Sequence, residues 1–130
     1  MATRSHIGKM LPDNRVSYVY CHHDGYPEGV GRLLLNYYST ESMLNALLDM
    51  GNLTSLGADI GLKNDFKRPN GDFCLFYGRD RGQEGENASN ADFEDFVAND
   101  NVDYHYLFES GKWRCFKYGA EIDLYEETSW

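Results

Sequence analysis

The sequence predicts an α+β fold in one domain, residues 1–130, in which an antiparallel sheet carries two or three helices on one face. Short links at 12–14 and 110–111 separate segments rich in β-branched and aromatic residues, and links of that length join only antiparallel neighbours. Two apolar stripes with helical spacing lie together in the first half of the chain. A chain of 130 residues is long enough for one hydrophobic core but not for two.

The first half of the chain is predicted to form a hairpin followed by two helices. Strands at 3–11 and 15–22 flank a turn rich in Pro, Asp and Asn. A helix is predicted to begin near Pro27. Proline lacks a backbone N–H, and in the first turn of a helix that N–H would have no partner in any case. A second helix is capped by Ser39 or Thr40 and ends at Gly51. The two stripes consist of Val30, Leu33, Leu34 and Tyr37, and of Met43, Leu44, Leu47 and Leu48.

The second half is predicted to be more irregular. Glycines and a proline interrupt residues 51–72, which indicates a long connection, and the apolar run 73–77 indicates a buried strand. The polar segment 78–90 is predicted to be a loop. Ser89 or Asn90 is expected to cap a short helix with Phe93, Phe96 and Val97 inward. A hairpin at 103–109 and 112–118 follows, with a last strand at 121–125.

Negative charge is concentrated in the second half. The formal net charge is −9, and residues 82–111 contain no Lys or Arg. A surface of that sign repels phosphate, which disfavours direct nucleic-acid binding but suits docking on a basic groove of another protein. The alternative is a solvated acidic face that only maintains solubility. The candidate partner-binding residues are Glu84, Glu86, Asp92, Glu94, Asp95, Asp100 and Asp103.

Cysteine usage and hydropathy indicate a cytoplasmic protein without disulfides, metal or cofactor. Cys21, Cys74 and Cys115 are odd in number and lack any C-x-x-C spacing. Neither a signal-peptide pattern nor a membrane-spanning stretch is present. The ten Tyr residues suit a half-buried sheet or an interaction surface. Pairing of aromatic edge strands between subunits would give a homo-oligomer, and the sequence does not exclude it.

The densest polar cluster follows the second strand. At strand spacing, Cys21 and His23 face one way and His22 and Asp24 the other. A Cys–His nucleophile assisted by Asp24 is one interpretation, although Cys21 and His22 would then point to opposite faces. The alternative is a turn in which Asp24 bonds backbone N–H groups before the Pro27 helix, and turns dominate such Asp-Gly sites. The common glycine-rich nucleotide-binding, serine-hydrolase and zinc-protease motifs are absent from the sequence.

A second cluster places Arg79 and Arg81 in the predicted Gly-flanked loop. Two guanidinium groups there can grip an anionic ligand, with His22, His23 and Asp24 as further candidate ligand-binding residues. The alternative is that the arginines pair with Asp80, Glu84 and Glu86 and order the loop. On the first interpretation, substituting either arginine impairs ligand binding but leaves folding almost unchanged.

Two segments resemble a family of small bacteriophage and prophage proteins. These are the start Met1-Ala2-Thr3-Arg4-Ser5 and the string Tyr20-Cys21-His22-His23-Asp24-Gly25-Tyr26-Pro27, with further similarity at 53–57 and 76–82. His23 stands where the family usually has Trp. The resemblance implies a phage-borne accessory protein in the cytoplasm of the bacterial host cell, and by analogy an anti-defence, anti-CRISPR-like inhibitor.

Three functional hypotheses follow. The first is a non-enzymatic inhibitor that binds a basic surface of a host defence protein through the acidic region. The second is a protein that sequesters an anionic nucleotide signal through Arg79 and Arg81. The third is a small enzyme that uses Cys21 or His22 with Asp24. We rank them in this order, because the first explains the charge asymmetry and the third explains only a cluster that a turn explains equally well.

Overall fold

An eight-stranded sheet forms the centre of the computed structural model, which describes residues 2–127. Met1, the first residue of the N-terminal motif, lies outside the described residues. The strands are β1 (Ser5–Leu11), β2 (Arg15–Cys21), β3 (Leu53–Ser55), β4 (Leu75–Phe76), β5 (Ser89–Asp92), β6 (Tyr104–Glu109), β7 (Lys112–Lys117) and β8 (Ala120–Ile122). The helices are α1 (Arg32–Tyr37), α2 (Glu41–Asp49), α3 (Tyr77–Arg81), α4 (Phe93–Ala98) and α5 (Leu124–Glu127).

The first hairpin forms as the sequence predicts. β1 and β2 pair antiparallel over their full length, from Ser5 opposite Cys21 to Leu11 opposite Arg15. In the turn between them, Asp13 and Asn14 adopt left-handed conformations with φ of 64° and 61°. Asp and Asn tolerate this region better than other residues that have a Cβ atom, so the local sequence permits the tight reversal.

The sheet is mixed, and β1 lies at its centre. The strand order is β4-β3-β2-β1-β6-β7-β8, and β5 pairs with another part of the β2 edge. β1 runs parallel to β6, with Ile7 opposite Tyr106, and β2 runs parallel to β3 at Cys21. The predicted α+β class is confirmed, and most of the strand pairs are antiparallel. The two parallel pairs join segments that lie far apart in the sequence, so no short turn in the sequence predicts them.

The larger core lies between one face of the sheet and the helices α1 and α2. Ile7, Val19 and Tyr106 contribute from the sheet and are fully buried. Most members of the predicted helical stripes face them, but Tyr37 and Met43 are exposed, and Tyr38 is buried in place of Tyr37. Thr40 caps α2 by accepting a 3.2 Å hydrogen bond from the N–H of Met43. A buried Tyr hydroxyl ties a loop to this core, because Tyr106 donates to the carbonyl of Gly25 at 2.6 Å.

A smaller core lies on the opposite face, which we call the second face. Val16, Phe96, Leu107 and Phe116 are buried there, with Tyr18 and Phe93 packed against them. Phe96 belongs to α4, so helices cover both faces, whereas the sequence predicted them on one. The inward orientation of Phe93, Phe96 and Val97 is confirmed. The side chains of Ser89 and Asn90 do not cap this helix, because both residues pair with β2 as part of β5.

Three other elements differ from the sequence prediction. The connection 51–72 contains the short strand β3, which lies between β2 and β4 in the sheet. Only Leu75 and Phe76 of the apolar run 73–77 form a strand, and Tyr77 begins α3, so the predicted loop starts with a helix. The last strand, β8, is shorter than predicted and is followed by α5. Short elements of this kind depend on tertiary pairing more than on local propensity.

Two histidines are buried beneath α4. The rings of His6 and His105 lie 5.2 Å apart, and that of Phe96 lies 4.8 Å from His105. His105 donates from Nε2 to the carbonyl of Asn99 at 2.7 Å, while both Nδ1 atoms have no partner among residues 2–127. Burial, and secondarily the neighbouring His105, lowers the pKa of His6 to about 3. Burial also lowers the pKa of His105, although its bond to Asn99 opposes this.

Both histidines are therefore neutral in the folded protein, so the unfolding free energy should decrease in mild acid. Between pH 6.5 and about 3, the unfolded chain binds protons at His6 that the folded chain does not bind, so the unfolding free energy decreases as pH falls. The slope approaches about 1.4 kcal/mol per pH unit for each histidine. Urea unfolding of the wild type and of His6→Phe between pH 7.5 and 5 measures it, and the variant should lose less stability over this interval.

The matched control is His23→Gln, because His23 is exposed on the surface. This variant should retain the wild-type decrease in stability between pH 7.5 and 5. Equal pH dependence in His6→Phe and in wild type would contradict the assignment of the acid sensitivity to the buried pair.

Candidate partner-binding surface

The predicted acidic residues lie on the second face of the sheet and along its β5 edge. The chain leaves α3 through 82–88 and pairs with β2 from Tyr18 to Arg15 as β5. It then crosses the second face as α4 and enters β6 beside β1. We call the seven carboxylates along this path the acidic surface: Glu84, Glu86, Asp92, Glu94, Asp95, Asp100 and Asp103.

Four of these carboxylates are engaged within the chain. Asp92 forms a 2.8 Å ion pair with Arg15. Three others accept hydrogen bonds from groups outside the segment 82–111: Glu86 from Asn52 at 2.9 Å, Glu94 from Asn14 at 3.3 Å, and Asp103 from the N–H of Arg4 at 3.0 Å and the hydroxyl of Tyr118 at 2.7 Å. The Tyr118 and Arg4 bonds lower the pKa of Asp103. These residues therefore fasten the acidic segment to the rest of the fold.

The other three carboxylates are free. Glu84, Asp95 and Asp100 are exposed and make no hydrogen bond or ion pair among residues 2–127. They are distributed over the loop before β5, over α4 and over the loop after α4. A free carboxylate loses no internal bond when it binds a cation, so these three are the members best suited to meet a basic partner.

The structure gives no support to Cys21 as a nucleophile. Its side chain is fully buried in the larger core, and its thiol donates to the carbonyl of His23 at 3.6 Å. Burial raises the pKa of Cys21 to about 12, so the reactive thiolate is not formed near neutral pH. As the strand spacing predicts, Cys21 and His22 lie on opposite faces, because His22 contacts Tyr20 on the second face. We therefore correct the Cys21–His22 interpretation.

The segment after Cys21 is a turn that docks on β1. Asp24 has a φ of 58°, and its carbonyl accepts a 2.9 Å bond from Val30, so its backbone rather than its side chain starts the helical turn at Pro27. Gly25 donates to the carbonyl of Thr3, and a Cβ atom on Gly25 would lie 2.8 Å from that oxygen. The close backbone contact therefore requires the glycine of the Asp-Gly pair. The carboxylate of Asp24 accepts a 3.3 Å bond from the hydroxyl of Tyr26.

Arg79 is a structural residue, which corrects its assignment to ligand binding. All five of its N–H donors are used: the guanidinium donates to Asp80 at 2.8 and 3.2 Å, to Ile60 and Gly61 at 2.9 Å each, and to Cys74 at 3.0 Å. The last three acceptors are backbone carbonyls, two of them in the long connection 51–72 and the third, that of Cys74, just after it. Arg79 therefore binds α3 to that connection and has no donor left for a ligand.

Asp80 completes this arrangement from the inside. Its side chain is fully buried and accepts 2.7 Å bonds from the N–H groups of Asn64 and Phe76. Burial raises the pKa of Asp80, but the bonds from Arg79, Phe76 and Asn64 outweigh burial and lower it below its usual value. Asn64, also buried, donates to the carbonyls of Asn70 and Cys74 and accepts from the N–H of Asn70. These polar residues hold a segment that has few apolar side chains.

Arg81 differs from its neighbour. It is exposed at the end of α3, and its guanidinium lies 5.5 Å from the centre of the Phe66 ring. The two predicted ligand-binding arginines therefore do not form a shared site. Sequence reasoning treated them as equivalent, and its alternative of pairing with a nearby carboxylate holds for Arg79 with Asp80. It missed Asn64, whose burial depends on the tertiary fold.

Neither a metal-site geometry nor a similarity to known proteins identifies a function for this chain. In the part of the chain that the structure describes, no three His, Cys, Asp or Glu side chains are grouped as metal ligands would be. No helix among residues 2–127 combines the length and the apolar character needed to cross a membrane. Comparisons with protein-family models, with curated proteins and with solved structures find no match to this chain.

The two arginines of α3 provide a matched test of stability. Arg79→Ala should lower the unfolding free energy by about 3–5 kcal/mol, because it leaves the buried Asp80 without its cationic partner. Arg81→Ala should cost less than about 1 kcal/mol, the usual worth of an exposed cation–π contact. Urea unfolding curves of the two variants beside the wild type measure both values. Similar stabilities for the two variants would contradict the structural role of Arg79.

Proposed function

We propose that this protein is an inhibitor that binds a basic, nucleic-acid-binding surface of another protein through its acidic surface. The observation that carries the proposal is the set of three free carboxylates, Glu84, Asp95 and Asp100, in a segment of 30 residues, 82–111, that contains no Lys or Arg. Their charges are not neutralised within the chain, so they attract a basic partner over a range of about 8 Å at physiological ionic strength.

The shape of the surface supports binding to a macromolecule. The free carboxylates lie on α4 (Asp95), in the loop after α4 (Asp100) and in the loop before β5 (Glu84), and Phe96 anchors α4 on the smaller core. The ion pair between Asp92 and Arg15 and the bonds to Asp103 anchor it at both ends. A partner therefore meets a pre-formed surface and has little chain to order on binding, which favours affinity.

The resemblance of the N-terminal motif and of the string at 20–27 to phage and prophage proteins supports a host defence protein as the target, which makes the proposed activity anti-CRISPR-like. A phage product of this kind acts in the bacterial cytoplasm. Inhibition requires no chemistry by the chain itself, because occupation of a nucleic-acid groove is sufficient to block it. The proposal is therefore a binding function and not a catalytic one.

The test begins with capture of the partner from bacterial lysate and its identification by mass spectrometry. Association and dissociation rates of the purified pair are then measured for the wild type and for the triple variant Glu84→Gln, Asp95→Asn, Asp100→Asn. The variant should associate more slowly while its dissociation rate changes less, because exposed charges act mainly on encounter. Binding of the wild type should also weaken steeply between 50 and 500 mM salt, on the order of tenfold or more.

The matched control is a second triple variant, Glu28→Gln, Asp49→Asn, Asp72→Asn, which removes the same amount of charge outside residues 82–111. All three control positions are exposed. This variant should associate at nearly the wild-type rate and should still displace nucleic acid from the partner. Equal slowing by both triple variants would show that net charge, and not this surface, determines binding.

A further inference from the structure

One part of the second face is not covered by α4. The helix covers the sheet at His6, His105 and Tyr18, where Phe96 contacts all three rings. Beyond that point, Tyr20 and His22 remain half-buried, and Arg4 and His23 are exposed. We call these four residues the Arg4–His22 site.

The strand register brings the site together. Ser5 pairs with Cys21 at the end of the β1–β2 register, so Arg4 and His22, the residues that adjoin them in the sequence, lie at the same end of this strand pair. The rings of His22 and His23 then lie 4.6 Å apart, just past the end of β2. Residues far apart in the sequence thus place one guanidinium and two imidazoles at the same end of the sheet.

A hydrogen bond fixes the orientation of His22. The hydroxyl of Tyr20 lies 2.6 Å from Nδ1 of His22. Burial raises the pKa of Tyr20, so this hydroxyl stays protonated, and it can donate to Nδ1 or accept from it according to the tautomer of His22. In the tautomer in which Tyr20 donates, His22 carries its own proton on Nε2, a ring nitrogen that has no hydrogen-bond partner among residues 2–127. Burial, together with His23 and Arg4, lowers the pKa of His22, so its resting form is neutral.

The guanidinium of Arg4 is also available. In contrast to that of Arg79, it donates to no side chain or carbonyl among residues 2–127, and only the backbone of Arg4 is engaged, with Asp103 and Tyr104. The nearby carboxylates already accept hydrogen bonds, Asp24 from Tyr26 and Asp103 from the Arg4 N–H and Tyr118. The site thus presents free donors on Arg4 and His22 beside the aromatic rings of Tyr20 and His23.

We propose that the Arg4–His22 site binds a phosphate monoester. Arg4 is the bidentate contact to two phosphate oxygens, the Nε2–H of His22 donates to a third, and exposed His23 completes the contact. The ring of Tyr20 is the surface on which the group attached to the phosphate packs, which suits a nucleotide base. The site does not depend on the partner proposed above, because it uses different residues.

The test is an NMR titration of the full chain with inorganic phosphate, ribose 5-phosphate, AMP and adenosine, following the imidazole signals of His22 and His23. The three phosphate-bearing compounds should shift these signals and raise the pKa of His22, because a bound dianion favours the charged imidazole. Adenosine should do neither. Tighter binding of AMP than of ribose 5-phosphate assigns a nucleotide, and equal binding assigns another phosphate monoester.

Matched variants locate the site. Arg4→Gln should weaken AMP binding on the order of tenfold, the usual effect of losing a charge-assisted hydrogen bond. Arg81→Gln removes the same charge from another exposed arginine and should leave the affinity unchanged. Thermal melting of both variants verifies that they are folded. The proposal is overturned if no phosphate compound shifts the histidine signals at millimolar concentration, if adenosine binds as tightly as AMP, or if the two arginine variants have equal effects.

Discussion

The pairing of β1 with two distant partners is the constraint on which the structure depends. β1 is fixed antiparallel to β2 by a three-residue turn, and its other edge pairs in parallel with β6, almost one hundred residues later: Ser5 lies opposite Tyr104. A parallel pair cannot be closed by a tight turn, so the intervening chain must travel around the sheet. It does so as α1 and α2 on one face, as β3, β4 and β5 at the far edge of β2, and as α4 on the second face.

Local sequence signals predict the elements that local interactions form. The turn at 12–14, the Thr40 cap and the hairpin across Ser110 and Gly111 each depend on residues within a few positions of one another, and the structure contains all three. The parallel pairs and the edge strands β3 and β5 depend on partners far along the chain. No local pattern distinguishes Ser89-Asn90-Ala91-Asp92 from a polar loop, because its strand geometry comes from pairing with β2.

The candidate sites show the same division. The acidic segment is visible in the sequence itself, but sequence reasoning could not separate its free carboxylates from those that fasten the segment to Arg15, Asn14 and Tyr118. It treated Arg79 and Arg81 as a pair, although α3 turns the first toward Asp80 and leaves the second exposed. Sequence reasoning did not propose Arg4 as a binding residue, because its position near His22 depends on the pairing of β1 with β2. The residue types were visible in the sequence, and their availability was determined by the fold.

The two proposed sites share one face of the sheet, and this gives them an electrostatic relation. Asp103, a member of the acidic surface, bonds the backbone N–H of Arg4 at 3.0 Å, so the two sites are contiguous. A dianion bound at the Arg4–His22 site would add negative charge beside the surface that we propose binds a basic partner, and at this range salt screens the effect only in part. The phosphate ligand and the partner should therefore strengthen each other's binding. By thermodynamic linkage the two increases in affinity must be equal, so the coupling, once measured from either ligand, is known for both.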